Sequence, residues 1–239
     1  MIIIFNFVLM SPYVKIINCK DCKRHCTSVF SDLDDKLLKY INQDKDSLLF
    51  KKGQYIFTEG ARSRGLYCIR SGKVKIHKFG SDKNQIVRTA YRSDIIGYRA
   101  LISNELYTAT AEALIDTEAC YISKKVFFNL IDMDKDFTMK LMRILSLDVK
   151  TAERNAMNIA QKTVLERLAG FLIERYDSTS ADSFYFTRKD LSDIIGCAPE
   201  TIIRTLSSLK NDEIIKYVNK KIALVDVQRL KKIANNNYK

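Results

Sequence analysis

The sequence is poor in residues that break or loosen a chain. Its 239 residues include 8 glycines and 2 prolines, which excludes collagen-like and low-complexity architectures. Histidine is scarce: of the two present, only His77 falls in the strand-rich part of the chain. A cupin-like metalloenzyme needs a cluster of His and Glu ligands on its β-roll, so that class is excluded and no enzyme activity is expected. The apolar opening MIIIFNFVLM is far short of the roughly 20 residues that span a bilayer. It also lacks the basic lead and the A-x-A-like site of a signal peptide. Met10 offers an alternative start, and a cytoplasmic protein without membrane contact is expected. Acidic residues are in deficit, with 28 Asp+Glu against 40 Lys+Arg and a formal net charge of +12. Such a balance favours a polyanionic partner.

Between Leu48 and Ile122 the chain reads as short strands separated by turns. SLLFKKGQYIFTEG splits at Lys52-Gly53, and GLYCIRSGKVKIHKF alternates around Ser71-Gly72, a hairpin signal. Many short antiparallel strands point to a barrel or jelly roll. After Ser123 the pattern is helical. KKVFFNLIDMD makes a short amphipathic helix, and a longer one follows from about Phe137. Along it Met142, Leu145, Val149, Ala152, Ala156 and Ile159 recur at spacings of three and four, a seam suited to packing against a second helix.

The segment TRKDLSDIIGCAPETIIRTLSSLKNDEII carries the most specific pattern. Thr187 is a good N-cap, and Leu191, Ile194 and Ile195 form an apolar face. Gly196 permits a sharp turn, and Pro199 suits the first turn of the next helix. In that helix Ile202, Leu206 and Leu209 face inward, leaving Glu200, Thr201, Arg204, Ser207 and Ser208 outside. A helix-turn-helix followed by a basic hairpin fits the DNA major groove. Arg204 is suited to pair with guanine and Glu200 to accept from a cytosine amine. Thr187, Arg188, Thr201, Ser207, Lys216, Lys220 and Lys221 are placed to hold phosphates.

Together these segments resemble the Crp/Fnr family of bacterial transcription regulators over about residues 28–235. The resemblance implies an α+β chain: an N-terminal antiparallel β-roll of the cyclic-nucleotide-binding type, a long dimerisation helix and a C-terminal winged helix-turn-helix. The corresponding divisions are an arm at 1–27, a sensor β-roll at 28–134, a dimer helix at 135–162 and a DNA-binding domain at 163–239. It further implies a homodimer that reads a palindromic operator and works with RNA polymerase. Glu200 and Arg204 occupy the positions that read the family's shared GA core. Pro199 stands where the cyclic-AMP receptor type has an arginine, and Ile203 where the oxygen-sensing type has a serine.

The signal is less clearly written. Cyclic-AMP binders of the family use a Gly-Glu pair and a following Arg-Ser/Thr, and here those positions read Gly97-Tyr98 and Thr108-Ala109. No cyclic AMP is expected. Arg88, Tyr98, Arg99 and Thr108 remain candidates to line a pocket for another ligand. The six cysteines, in a chain with no export signal, read as thiols or metal ligands. Cys19, Cys22 and Cys26 cluster in CKDCKRHC, while Cys68 and Cys197 read as packing residues. By resemblance to the oxygen-sensing Fnr type, Cys19, Cys22, Cys26 and Cys120 would hold a four-iron four-sulfur cluster, although the x3 spacing before Cys26 differs from that type. A zinc knot using His25, a thiol switch and the absence of any role stand as alternatives. Arg154 occupies the place of an aspartate that keeps the cluster-free Fnr type from dimerising.

Overall fold

The computed structural model describes residues 18, 19, 22, 28–80, 84–179 and 183–235. The apolar opening, His25 and Cys26 lie outside them. The described chain forms two compact units, one ending at Leu145 and the other carrying Ser146 onward.

The first unit begins with α1 (Asp35–Asp44), whose N-terminus is fixed by the Asp34 side chain accepting from the Leu37 amide. Eight strands follow: β1 (Asp46–Phe50), β2 (Tyr55–Phe57), β3 (Gly65–Ser71), β4 (Val74–Phe79), β5 (Asn84–Ala90), β6 (Ile95–Ile96), then β7 (Thr110–Ala113) and β8 (Thr117–Ser123) after the short α2 (Tyr98–Ser103). They pair into two four-stranded sheets of order β1-β8-β3-β6 and β2-β7-β4-β5, with antiparallel registers. The expected β-roll is therefore present. The β3–β4 hairpin turns at Gly72 with φ +104°, and a Cβ there would lie 2.2 Å from Thr117 Oγ1, so no other residue fits.

The first sheet is covered on both faces. On β3, Ile69 and its neighbour Tyr67 pack between the sheets with Ile56, Val74, Ile96, Ala111 and Ala119. Leu66 and Cys68 face the opposite way, toward α1 and α3 (Lys124–Met133), among Leu37, Ile41, Ile122, Phe127 and Leu130. The period-two alternation of GLYCIRS thus serves two apolar cores, not one core and solvent. His77 is buried and packs edge-on to Phe79, a packing role.

The long α4 (Lys135–Gln161) follows, starting slightly before the Phe137 read from the sequence. Of its residues only Phe137 and Leu141 are buried. The second unit contains α5 (Val164–Thr179), β9 (Ser183–Phe184), α6 (Arg188–Ile195), α7 (Pro199–Asn211), β10 (Ile215–Val218), β11 (Lys221–Leu224) and α8 (Val227–Ala234). Leu168, Leu172, Leu191, Ile202, Leu206, Leu209, Ile222 and Leu230 build its core. The hairpin is extended by β9 into a three-stranded sheet of order β10-β11-β9.

Candidate nucleic-acid interface and thiol site

Helix α6 opens with a capping box. The Thr187 hydroxyl accepts from the Asp190 amide at 3.0 Å, and the Asp190 carboxylate accepts from the Thr187 amide at 3.1 Å. The helix ends at Gly196, whose φ of +74° is left-handed, and the Ser192 hydroxyl donates to the Cys197 carbonyl at 2.6 Å across the turn. Pro199 begins α7. The buried set Ile202, Leu206 and Leu209 fixes the rotation of α7. Glu200, Ile203, Arg204, Ser207 and Ser208 are consequently exposed, and Thr201 partly so. Glu200 and Arg204 lie one turn apart on the outer face. The Arg204 guanidinium donates to Thr201 Oγ1 at 3.5 Å, a long contact that loosely directs it along the helix.

The wing turns through Asn219 and Lys220, both at positive φ (49° and 64°). Two such residues between antiparallel strands match the twist of a tight hairpin. The turn and its flanks expose Lys216, Lys220 and Lys221. Arg188 lies over the Tyr217 ring at 5.1 Å, which ties the start of α6 to the wing. All the side chains expected at DNA are thus on the second unit. Thr187 serves the helix cap as well, so its hydroxyl oxygen is already engaged as an acceptor.

The seam on α4 is open. Met142, Val149 and Ile159 are exposed at 57%, 57% and 55%, Ala152 and Ala156 are exposed and Leu145 is partly so. Arg154 pairs with Glu174 on α5 at 3.4 Å, with both side chains well exposed, a weak contact.

Of the proposed effector residues, Tyr98 is buried in the core under α2 and receives a bond from Arg88 at 3.4 Å. Arg99 and Thr108 instead line a groove of about 290 Å³ with Ala100, Ile102, Ser103, Glu105 and Leu145. The four therefore do not share one pocket. Tyr98 follows the tight turn at Gly97 and is drawn inward by its own apolar ring.

The cysteines are differently arranged from what local spacing indicates. Cys120 on β8 stands directly opposite Ser47 on β1 and Cys68 on β3, so the three side chains share one face of the sheet. In the arm, the Cys22 amide donates to the Cys19 carbonyl at 3.2 Å, closing a turn. The Asn42 side chain of α1 accepts from the Cys19 amide at 3.0 Å, and Lys45 donates to Cys19 Sγ at 3.2 Å. Lys45 is itself buried. Burial pushes the Cys68 thiol well above its usual range, and the thiols of Cys120, Cys19 and Cys22 raise it further. Burial likewise raises Cys120, with Lys45 and Ser47 opposing it and Cys19 reinforcing it. Cys68, read from the sequence as packing, is thus part of a thiol neighbourhood; its signal is cross-strand register, invisible in spacing. Cys197 packs against the second core. Among the described residues no three His, Cys, Asp or Glu side chains stand close enough, as placed, to hold a metal ion.

A β-roll followed by a winged helix-turn-helix defines a class, the DNA-binding transcription regulators with a cyclic-nucleotide-binding-type domain. Comparison with known proteins agrees. Residues 48–134 match the family described as cyclic nucleotide-binding domain, and residues 166–233 match the Crp-like helix-turn-helix domain. The chain is 26% identical to the fumarate and nitrate reduction regulatory protein of Vibrio cholerae, covering 91% of this chain and 90% of the relative. It is 26% identical to the anaerobic regulatory protein of Pasteurella multocida, covering 90% and 81%. Among solved structures it superposes on FixK2 of Bradyrhizobium japonicum with a TM-score of 0.71 at 26% identity, covering 79% and 96%. The chain belongs to the Crp/Fnr family of regulators and is a DNA-binding transcription regulator. No described helix is long and apolar enough to cross a membrane.

Proposed function

We propose that the chain acts as a homodimer whose two α7 helices read inverted half-sites through Glu200 and Arg204. The observation that carries this reading is the rotation of α7: its inner face is locked by Ile202, Leu206 and Leu209, leaving Glu200 and Arg204 together on an unobstructed outer face. Arginine offers two donors to guanine O6 and N7, and a carboxylate accepts from the cytosine amine. Ile203, 48% exposed between them, supplies an apolar contact of the kind a thymine methyl takes. Arg188, Thr201, Ser207, Lys216, Lys220 and Lys221 hold phosphates and set register, with Thr187 adding its hydroxyl proton. Dimerisation runs through the α4 seam, where exposed Met142, Val149, Ala152, Ala156 and Ile159 invite a second copy at coiled-coil spacing. RNA polymerase is the expected protein partner.

The signal acts at the first unit and is an iron–sulfur or thiol signal tied to oxygen or redox state. The names of the relatives, which refer to anaerobic and to fumarate and nitrate regulation, support this direction. Four thiolates are the usual ligand set of a four-iron four-sulfur cluster, which supplies sensitivity to oxidants when bound. Cys19, Cys22 and Cys120 match such a group in donor chemistry, while as placed they do not stand close enough together to hold it. Cys26, the fourth thiol expected from the sequence, lies outside the described residues. Binding by Cys19 and Cys22 would tie the arm to the sheet in place of the Lys45 contact. Because Arg154 already has Glu174 beside it, like-charge repulsion between paired α4 helices is weakened. A small-molecule effector in the groove at Arg99 and Thr108 is the second reading, favoured by the two charged residues, Arg99 and Glu105, that line it.

A salt-dependent gel shift against palindromic DNA tests the first reading. Wild type is expected to bind, and Glu200→Ala or Arg204→Ala to lose sequence preference while retaining weak, salt-sensitive binding. Binding unaffected by either change would refute it. Protein purified without oxygen is expected to contain iron, sulfide and visible charge-transfer absorption.

A further inference from the structure

We propose that Tyr217 is a positioning residue for DNA binding: its ring holds the Arg188 guanidinium between the start of α6 and the wing, so that helix and wing present it to a phosphate as one unit. The assignment rests on the reading above that Arg188 holds a phosphate.

The alternation of β10 fixes the ring. Ile215 is buried, Lys216 exposed, Tyr217 half-buried and Val218 exposed. That period of two turns Ile215 and Tyr217 to the core side of the wing, and Lys216 and Val218 to the other. The cross-strand partner of Tyr217 is Ile222, 1% exposed, and the ring packs against the core of the second unit. Apolar contact thus anchors the ring. The Arg188 guanidinium carbon lies 5.1 Å from its centroid, within the roughly 6 Å reach of a cation–π contact.

Arg188 gains nothing from its place on the helix. It is the first residue of α6, where the macrodipole disfavours a cation and favours an acid such as Asp190. Among the described residues no carboxylate stands within ion-pair distance of it. The contact with Tyr217 therefore sets where the guanidinium sits. A ring, unlike a carboxylate, takes none of the five guanidinium N–H donors in a conventional hydrogen bond, so the fork stays available to a phosphate. Holding it before DNA arrives removes part of the entropy that an arginine side chain loses on binding. Lys216, Lys220 and Lys221 are exposed on the same hairpin, and the held guanidinium adds a fixed donor to their flexible ammonium groups.

The test measures binding of wild type, Tyr217→Phe, Tyr217→Leu, Arg188→Ala and the Tyr217→Leu, Arg188→Ala double variant. Each is titrated against a palindromic duplex and a scrambled one over a range of salt, with thermal melting as a control for folding. Tyr217→Phe keeps the ring and is expected to bind as wild type does. Tyr217→Leu is expected to weaken binding about two- to fivefold per half-site, the scale of an exposed cation–π contact. Both duplexes should weaken alike, since a phosphate carries no sequence information. Arg188→Ala should also weaken both and flatten the salt slope by about 0.9 per half-site. Adding Tyr217→Leu to Arg188→Ala is expected to cost nothing more, because the two side chains act as one. Wild-type affinity in Tyr217→Leu, or the same loss from it with and without Arg188, overturns the positioning role and leaves the phosphate contact of Arg188 intact. A Tyr217→Phe variant as weak as Tyr217→Leu does the same. Wild-type affinity and salt slope in Arg188→Ala overturn both.

Discussion

At the scale of single residues, function rests on side chains whose neighbours are fixed by burial. Glu200 and Arg204 are legible in the sequence because helical spacing alone separates them from Ile202, Leu206 and Leu209. Replacing either with Ala should relax discrimination at its base pair by about 1–3 kcal/mol with little change in melting temperature. Competition binding against half-sites altered one base at a time measures this. Cys68 is not legible in the same way. Its partner Cys120 is far along the chain, and only the pairing of β3 with β8 sets them opposite each other. The proposed effector residues are divided for a related reason, because sequence position does not say that Tyr98 turns into the core. A different kind of prediction concerns Tyr107, which stacks on Phe57 with ring centroids 3.9 Å apart. Burial raises its phenol above the usual range, and the bond with Ser63 opposes that only in part. A phenol with a raised pKa in the fold stabilises it below the unfolded value of about 10, and that contribution is lost as pH climbs through the folded value. Melting temperature should therefore fall above about pH 10, and Tyr107→Phe should shallow that fall.

At the scale of elements, two features decide whether the reading head is well formed. The turn between α6 and α7 depends on a left-handed Gly196. Gly196→Ala should cost about 1–2 kcal/mol, seen as a lower midpoint in urea and weaker DNA binding together. The α4 seam is the second. Its small and apolar residues are legible from their spacings of three and four alone, and they are exposed on the single chain. Val149→Glu combined with Ala156→Glu should shift the protein from dimer to monomer in sedimentation equilibrium while leaving the helix content unchanged. The β-strands are legible as a group through alternation and turn residues. The double coverage of the first sheet is not, because an apolar residue reads the same whichever of two cores it faces.

At the scale of the whole molecule, a net charge of +12 and a basic wing make binding to DNA strongly salt-dependent. Each phosphate contact should contribute about −0.9 to the slope of log affinity against log salt, so Lys220→Ala with Lys221→Ala should flatten that slope by about two without changing the preferred sequence. The central claim is that two copies of α7 read an inverted repeat through Glu200 and Arg204. Its most direct test is selection of bound duplexes from a random pool by wild type and by Arg204→Ala. Wild type should enrich two inverted half-sites with a GA core, centred about one helical turn apart, and Arg204→Ala should lose the enrichment at one position in each half. Enrichment of a single unpaired site, or the same sequences from both proteins, would contradict the account.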